Sequence, residues 1–247
     1  MERKITSLLF AVLASFAWVC PTKAQSSTYN EEDPGGWDFT GPCLTVSKRP
    51  GNAKFHVQLG SSFAFGFISG LKQADGVSID MGQSYEMHWD NVISTRTKVG
   101  HHGLFRAGIG FDWRNYRMIN GNIFSKDETG HICIVDGTPV RFSRIHTFSL
   151  SFPLKYYYQL AKHTYVAIGP ELYFTPHASM KTRYDSKNRI VDNYIHHNRF
   201  SMDLGAEFME NHVGIYYKYN PFSVLNTDFG PKFQSMTVGV KLNLYID

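Results

Sequence analysis

The chain has 247 residues, 43% hydrophobic, 15% aromatic and 19% charged, with 21 Gly and 3 Cys; this is ample for one core and excludes a disordered chain or a disulfide-dense scaffold. Half of the formal charge of +4 lies in the first 24 residues, from Arg3, Lys4 and Lys23 against Glu2, so the remainder makes no case for nucleic acid. A mean hydropathy of −0.27 beside so many aromatics implies large apolar side chains interleaved with polar ones.

Arg3 and Lys4 precede the apolar stretch 5–19, and Thr22-Lys23-Ala24 puts small residues at −3 and −1 of a cleavage before Gln25. This is the pattern of a secretory signal over residues 1–24. The stretch is short for a membrane helix, and no later run of about 18 apolar residues exists, which argues against a helical membrane protein. Ala17-Trp18-Val19 is a poor approach to a lipidated Cys20, because that chemistry favours small residues just before the cysteine. Residues 25–52, rich in Pro, Gly, Ser and Asp and without periodicity, read as an N-terminal periplasmic tail.

From Ala53 the pattern changes. Phe55, Val57, Leu59, Phe63, Phe65 and Phe67 alternate with small or polar residues, predicting a long strand with one apolar face. The same period recurs over 84–96, 102–117, 142–158, 163–175, 198–209, 212–221 and 234–246, so 53–247 reads as one domain of eight strands. The connections 68–83, 118–141, 176–197 and 222–233 are long, whereas 97–101, 159–162 and 210–211 are short. An up-and-down barrel puts every second connection at the same end, which explains the asymmetry. The expected fold is therefore all-β, an eight-stranded antiparallel up-and-down transmembrane barrel.

A secreted soluble barrel shows the same alternation with its apolar face turned inward around a small apolar ligand. That alternative would put Phe63, Phe65, Phe105, Phe148 and Leu150 inside a cavity. Aromatics near the strand ends favour the membrane: Trp113, Phe174, Tyr219 and Phe200 at the long-loop end, and Tyr156, Tyr158 and Phe208 at the other. Amphipathic rings are stable at the headgroup level.

Gly108-Ile109-Gly110-Phe111-Asp112-Trp113-Arg114-Asn115-Tyr116-Arg117, Phe152-Pro153-Leu154-Lys155-Tyr156-Tyr157, Ala167-Ile168-Gly169-Pro170-Glu171-Leu172 and Phe229-Gly230-Pro231 leading into Ser235-Met236-Thr237-Val238-Gly239-Val240 resemble the PorT-like outer-membrane β-barrel family of Bacteroidetes. The resemblance covers about residues 53–247 and implies an outer-membrane barrel in a Gram-negative envelope, without supplying an activity. The ending Leu244-Tyr245-Ile246-Asp247 departs from the C-terminal aromatic of many outer-membrane strands.

Eight strands leave an interior that side chains fill, so a wide pore is not expected. Parity puts Lys54, Arg96, Arg106, Arg114, Lys155, Lys218 and Lys241 on the inward face with Glu86, Asp90, Asp112, Glu171, Asp203 and Glu207. Charges in so narrow a space must find partners. The candidate network is Arg106, Asp112, Arg114, Lys155, Glu171, Asp203 and Glu207, serving to stabilise the barrel.

A lipid-modifying hydrolase would need Ser and His together. His146 falls on the opposite face from Ser149 and Ser151, whereas His88 and Asp90 share the inward face and a Ser from another strand could join them. The expectation is no enzyme. His131, His177, His196 and His197 lie in long loops, but their spacing is not that of a metal site, and no cofactor is expected. Gly108 and Gly110 lie within a strand, where they relieve crowding.

What remains is a structural or surface-interaction role, with the loops 72–83, 120–137 and 181–198 facing outward. The expected partners are outer-membrane lipid and an unidentified surface or envelope molecule, with a monomer as the default and a narrow channel a lesser option. Cys43 in the tail and Cys133 in an external loop would not form a disulfide.

Overall fold

Each alternating segment can hide one face only by pairing with neighbours and closing on itself, and the chain does both. In a computed structural model the described residues are 56–58, 61–74, 76–119, 121–136, 141–184 and 189–244. The signal, the tail with Cys43, and Lys54 lie outside them.

The strands are β1 (His56–Gln58), β2 (Ser61–Leu71), β3 (Tyr85–Val99), β4 (Gly103–Arg117), β5 (Asn122–Lys126), β6 (Ile132–Asp136), β7 (Phe142–Ala161), β8 (Thr164–Arg183), β9 (Arg189–Asp192), β10 (Phe200–Glu210), β11 (Val213–Asn220) and β12 (Gln234–Leu244). Both β1 and β2 pair with β3, and β3, β4, β7, β8, β10, β11 and β12 follow as antiparallel neighbours. Pairing of β12 with β2, from Gln234↔Leu71 to Leu244↔Ser61, closes an eight-stranded antiparallel up-and-down barrel. Closure removes every edge from the wall.

The closing seam depends on two glycines. Gly239 and Gly66 face each other across it, and the buried Tyr216 ring from β11 fills the space in front of them. A Cβ on Gly239 would run into Phe65 O, Gly66 Cα and Tyr216 Cε1. Gly239→Leu is therefore expected to abolish the fast-migrating unheated gel form of the barrel, and Tyr216→Ala to restore part of it. A heat-modifiable Gly239→Leu barrel would contradict this packing. Gly108 and Gly110 serve a second close approach, as the sequence suggests. The β3 ladder breaks between Trp89 and Ile93, where Asn91 has φ +55°, and a Cβ at either glycine would meet this bulge at Asn91 Oδ1 or Trp89 O.

Two connections differ from the sequence expectation. Residues 176–183 continue β8, and 118–141 carries the separate β5–β6 hairpin. The loop after β8 folds back as β9, with Met180↔Asp192 and Arg183↔Arg189 in register. The long-loop end is thus a folded head. Main-chain bonds tie its loops together, among them Ala74 N–H to Lys232 O (2.8 Å), Ile119 N–H to Ser78 O (2.9 Å) and Ile132 N–H to Phe229 O (2.7 Å).

Candidate functional site: a sealed charged interior beneath a folded head

The outside of the barrel is apolar over a defined band. Phe65, Phe67, Phe105, Ile109, Ile168 (67% exposed), Leu204, Ile215 (61%), Val238 and Val240 point away from the interior. On β7 the outward series runs from Phe148 to Tyr158, about 33 Å of strand and about 25 Å along the axis at the usual 35–45° tilt. Rings gather at its margins: Phe148 lies 5.3 Å from Trp113 and Phe174 lies 5.2 Å from Phe200, with Tyr156 and Tyr158 at the far end. Phe65 and Phe105 thus lie on the exterior, and Phe63, Phe148 and Leu150 share that outward parity, so the cavity of the soluble-barrel alternative does not form.

Inside that band lies a layer of charge. Arg114 donates from Nε to Asp112 Oδ1 (3.0 Å) and from Nη2 to Asp203 Oδ2 (2.6 Å), and its Nε is 3.4 Å from Glu86 Oε2. Lys218 Nζ donates to Glu86 Oε1 (2.8 Å), His88 Nδ1 (2.6 Å) and the Tyr173 hydroxyl (3.0 Å), and stands 3.3 Å from Glu171. One step toward the short turns, Lys155 meets Glu207 (2.5 Å) and Glu171 (3.2 Å), while Lys241 bridges Asp90 and Glu207, both at 2.8 Å. His88 joins the two levels, with Nδ1 2.8 Å from Glu86 and Nε2 3.2 Å from Asp90.

Six of the seven residues singled out from sequence therefore meet in this layer: Asp112, Arg114, Lys155, Glu171, Asp203 and Glu207. Arg106 does not reach a carboxylate among the described residues; it is half-buried near the short turns, where its Nε donates to Ser94 Oγ (3.1 Å). The layer also takes in Glu86, His88, Asp90, Lys218 and Lys241, which share the same inward parity and could have been grouped by it. Two further partners, Tyr173 and Thr237, share that parity but have no charge to mark them; Thr237 Oγ1 donates to Glu86 Oε2 (2.9 Å).

Apolar clusters flank the charged layer on both sides. Above it, Ile68, Tyr116, Met118, Ile145, Ala178 and Met180 turn inward from the strands and meet Val77, Phe124, Ile132, Ile195, Leu225 and Phe233 from the head. The Phe233 ring is the hub, 5.6 Å from Tyr116 and 6.4 Å from Phe124. Below it, Leu104, Tyr157, Tyr165, Ala167 and Met209 form a smaller plug. Phe233→Ala is expected to cost the head about 3–5 kcal/mol, as for a fully buried ring. Limited proteolysis should then cut within 118–141 while the strands stay protected; an unchanged digestion pattern would contradict the cap.

The interior brings two sets of candidate ligand atoms together. One ligand atom each from Glu86, His88 and Asp112, or from His88, Asp90 and Glu171, lies within 4.8 Å of the others. Cations of the protein already face those groups, Arg114 and Lys218 at Glu86, Arg114 at Asp112, Lys155 and Lys218 at Glu171 and Lys241 at Asp90, while His88 Nε2, Asp90 Oδ1 and Glu171 Oε2 have no hydrogen-bond partner among the described residues. The partners of His88 are Glu86, Asp90 and Lys218. Ser149 and Ser151 face the interior while His146 points the other way. The four loop histidines do not all meet: His177 lies in β8 opposite Phe148, and both ring nitrogens of His197 face carbonyls, those of Ile195 and Thr175. His131 and His196 both pack on Phe229, 5.2 and 4.1 Å between ring centres. Cys133 is exposed and free.

These features define a closed eight-stranded barrel with an apolar exterior and a charge-filled, capped interior. No protein-family model matches the chain, and no curated protein does. Among solved structures it is similar to Ail, the attachment invasion locus protein of Yersinia pestis, crystallised with the heparin analogue sucrose octasulfate. The identity is 13% and the TM-score 0.36, over 76% of this chain and 100% of that one. Ail in a phospholipid bilayer nanodisc gives 14% identity and a TM-score of 0.28 over the same shares. An engineered triple mutant of Rhodopseudomonas blastica porin gives 9% and 0.21, again over 76% and 100%.

Proposed function

We propose that this protein is an integral outer-membrane β-barrel of the PorT-like kind, exported by residues 1–24, whose barrel is a sealed anchor and whose folded head meets a surface or envelope partner. The observation that carries this reading is a reversal of polarity along single strands. On β7, residues 148–158 are apolar outward and polar or charged inward, except at Pro153 and Tyr157. Past Phe148 the outward side turns to His146 and Arg144 before Phe142, over inward Thr147, Ile145 and Ser143. On β8 the outward Leu172 and Phe174 give way to outward His177, Ser179 and Lys181 over inward Ala178 and Met180. Only a surface that passes from hydrocarbon into water favours both arrangements on one strand.

Catalysis and conduction form no part of this role. Apolar clusters flank the charged layer, and the pocket that reaches Arg114 and Tyr173 from His197, Asn198 and Ser201 holds only about 20 Å³, which supports this reading. The test is carbonate extraction and gel mobility of the mature protein, followed by reconstitution into planar bilayers. A pellet-bound, heat-modifiable species without conductance steps is expected. A freely soluble protein, or a steady open conductance, would overturn the reading.

A further inference from the structure

The head does more than cap the barrel. The end of β5 and the turn after it face the ends of β8 and β9 across a cleft of about 320 Å³, near the lower bound of about 300–1,000 Å³ typical of small-ligand sites. Phe124 and Met180, both part of the buried core of the head, line it, and Tyr184 adds a phenol ring. Lys126, Asp127 and Asp192 supply the polar groups.

Those polar groups are held in place before any ligand arrives. Asp192 accepts the Tyr194 N–H at Oδ1 (2.9 Å) and the Lys126 ammonium at Oδ2 (2.9 Å), while Lys126 also donates to Tyr194 O (2.8 Å). Asp127 Oδ1 takes the Thr129 hydroxyl (2.7 Å) and the N–H groups of Thr129 (2.9 Å) and His131 (2.8 Å). The Thr129 hydroxyl, with these N–H groups, holds the Asp127 carboxyl below its usual range, so it is an acceptor at neutral pH. All three bonds fall on Oδ1, which leaves Oδ2 to accept from outside.

We propose that this cleft binds a neutral pyranose ring, a sugar unit of a glycan outside the cell. A pyranose offers C–H groups for the Tyr184 ring above a floor of buried Phe124 and Met180, and hydroxyl donors for Asp127 Oδ2. The chemistry disfavours the rivals. Lys126 is the one cation among the described lining residues, and it is already bonded to Asp192 and Tyr194 O, so an acidic sugar meets a net negative lining. A purely apolar ligand would desolvate the Lys126–Asp192 pair without replacing its water. An ammonium ligand would find one carboxylate oxygen not already bonded.

This inference rests on the head facing outward, and the experiment separates the two. Barrel in nanodiscs is titrated with neutral, amino and uronic methyl pyranosides by saturation-transfer NMR, and the best binder is then compared as a free oligosaccharide and within purified lipopolysaccharide. Neutral pyranosides should bind, and Tyr184→Ala and Asp127→Asn should each weaken binding about tenfold, the usual loss for one stacking or hydrogen-bonding partner. The Asp127→Asn side chain keeps the turn through its own amide oxygen, and heat-modifiable mobility verifies both folds. Binding of no pyranoside, binding of the amino sugar alone, or binding that both variants leave unchanged would overturn the proposal. If Lys126 in intact cells is still cut by external protease, such a failure removes only the cleft; if the head is unreachable from outside, the surface role fails with it.

Discussion

Lys218→Met is expected to destabilise the folded barrel by about 3–5 kcal/mol, the usual cost of removing one member of a buried ion pair. Methionine keeps much of the length and volume, so the loss is electrostatic. The Lys218 ammonium is bonded to Glu86, His88 and Tyr173 and lies 3.3 Å from Glu171, all buried. The layer holds six carboxylates against Arg114, Lys155, Lys218 and Lys241, so it has no surplus cation to substitute. Urea titration of folding into lipid vesicles measures the loss. Lys218→Met with Glu86→Gln should recover part of it, because one buried charge leaves with its partner. A single variant within about 1 kcal/mol of the parent would mean that these charges are solvated, as in an open lumen.

Val240→Arg tests the other face, with an expected loss of about 2–4 kcal/mol in a bilayer. Val240 lies on β12 between Phe65 and Ile215, outward and half-exposed, in the middle of the apolar band. An arginine there must be buried in hydrocarbon or snorkel to an interface. The same substitution at Ser179, beyond the band, should shift the urea midpoint little. A soluble barrel predicts the reverse ranking, since Val240→Arg would then replace an exposed apolar side chain by a solvated one.

Much of the wall was legible because alternation over eight segments is a direct record of a two-faced strand. The heights of residues were not. Parity puts Arg106 and Arg114 on the same inward face, yet Arg106 pairs across from Lys155 and Arg96, near the short turns, whereas Arg114 pairs across from Glu86. Register between distant strands decides which charges meet, and one sequence does not encode it openly. Residues 176–183 read as a loop for a physical reason: Ala178 and Met180 keep the even parity of Leu172 and Phe174, but the register shift between Leu150↔Phe174 and Phe148↔His177 gives β8 one extra residue, which turns the even positions inward and the polar His177, Ser179 and Lys181 outward. Parity counted along one sequence cannot show where a bulge exchanges the faces. The β5–β6 hairpin is five residues a side, and its Phe124 and Ile132 gain their burial from Phe233 and Leu225, more than 90 residues away.

The most direct test is single-cysteine labelling in intact cells and in vesicles, in a background without the native cysteines. Lys181→Cys, outward on β8 above the band, should react with a membrane-impermeant maleimide added outside. Leu154→Cys, outward within the band, should react only after detergent extraction, and Ser149→Cys, inward, should react only on unfolding. Equal labelling of Leu154→Cys and Lys181→Cys from the aqueous side would contradict the barrel's place in the membrane, and with it the outward-facing head.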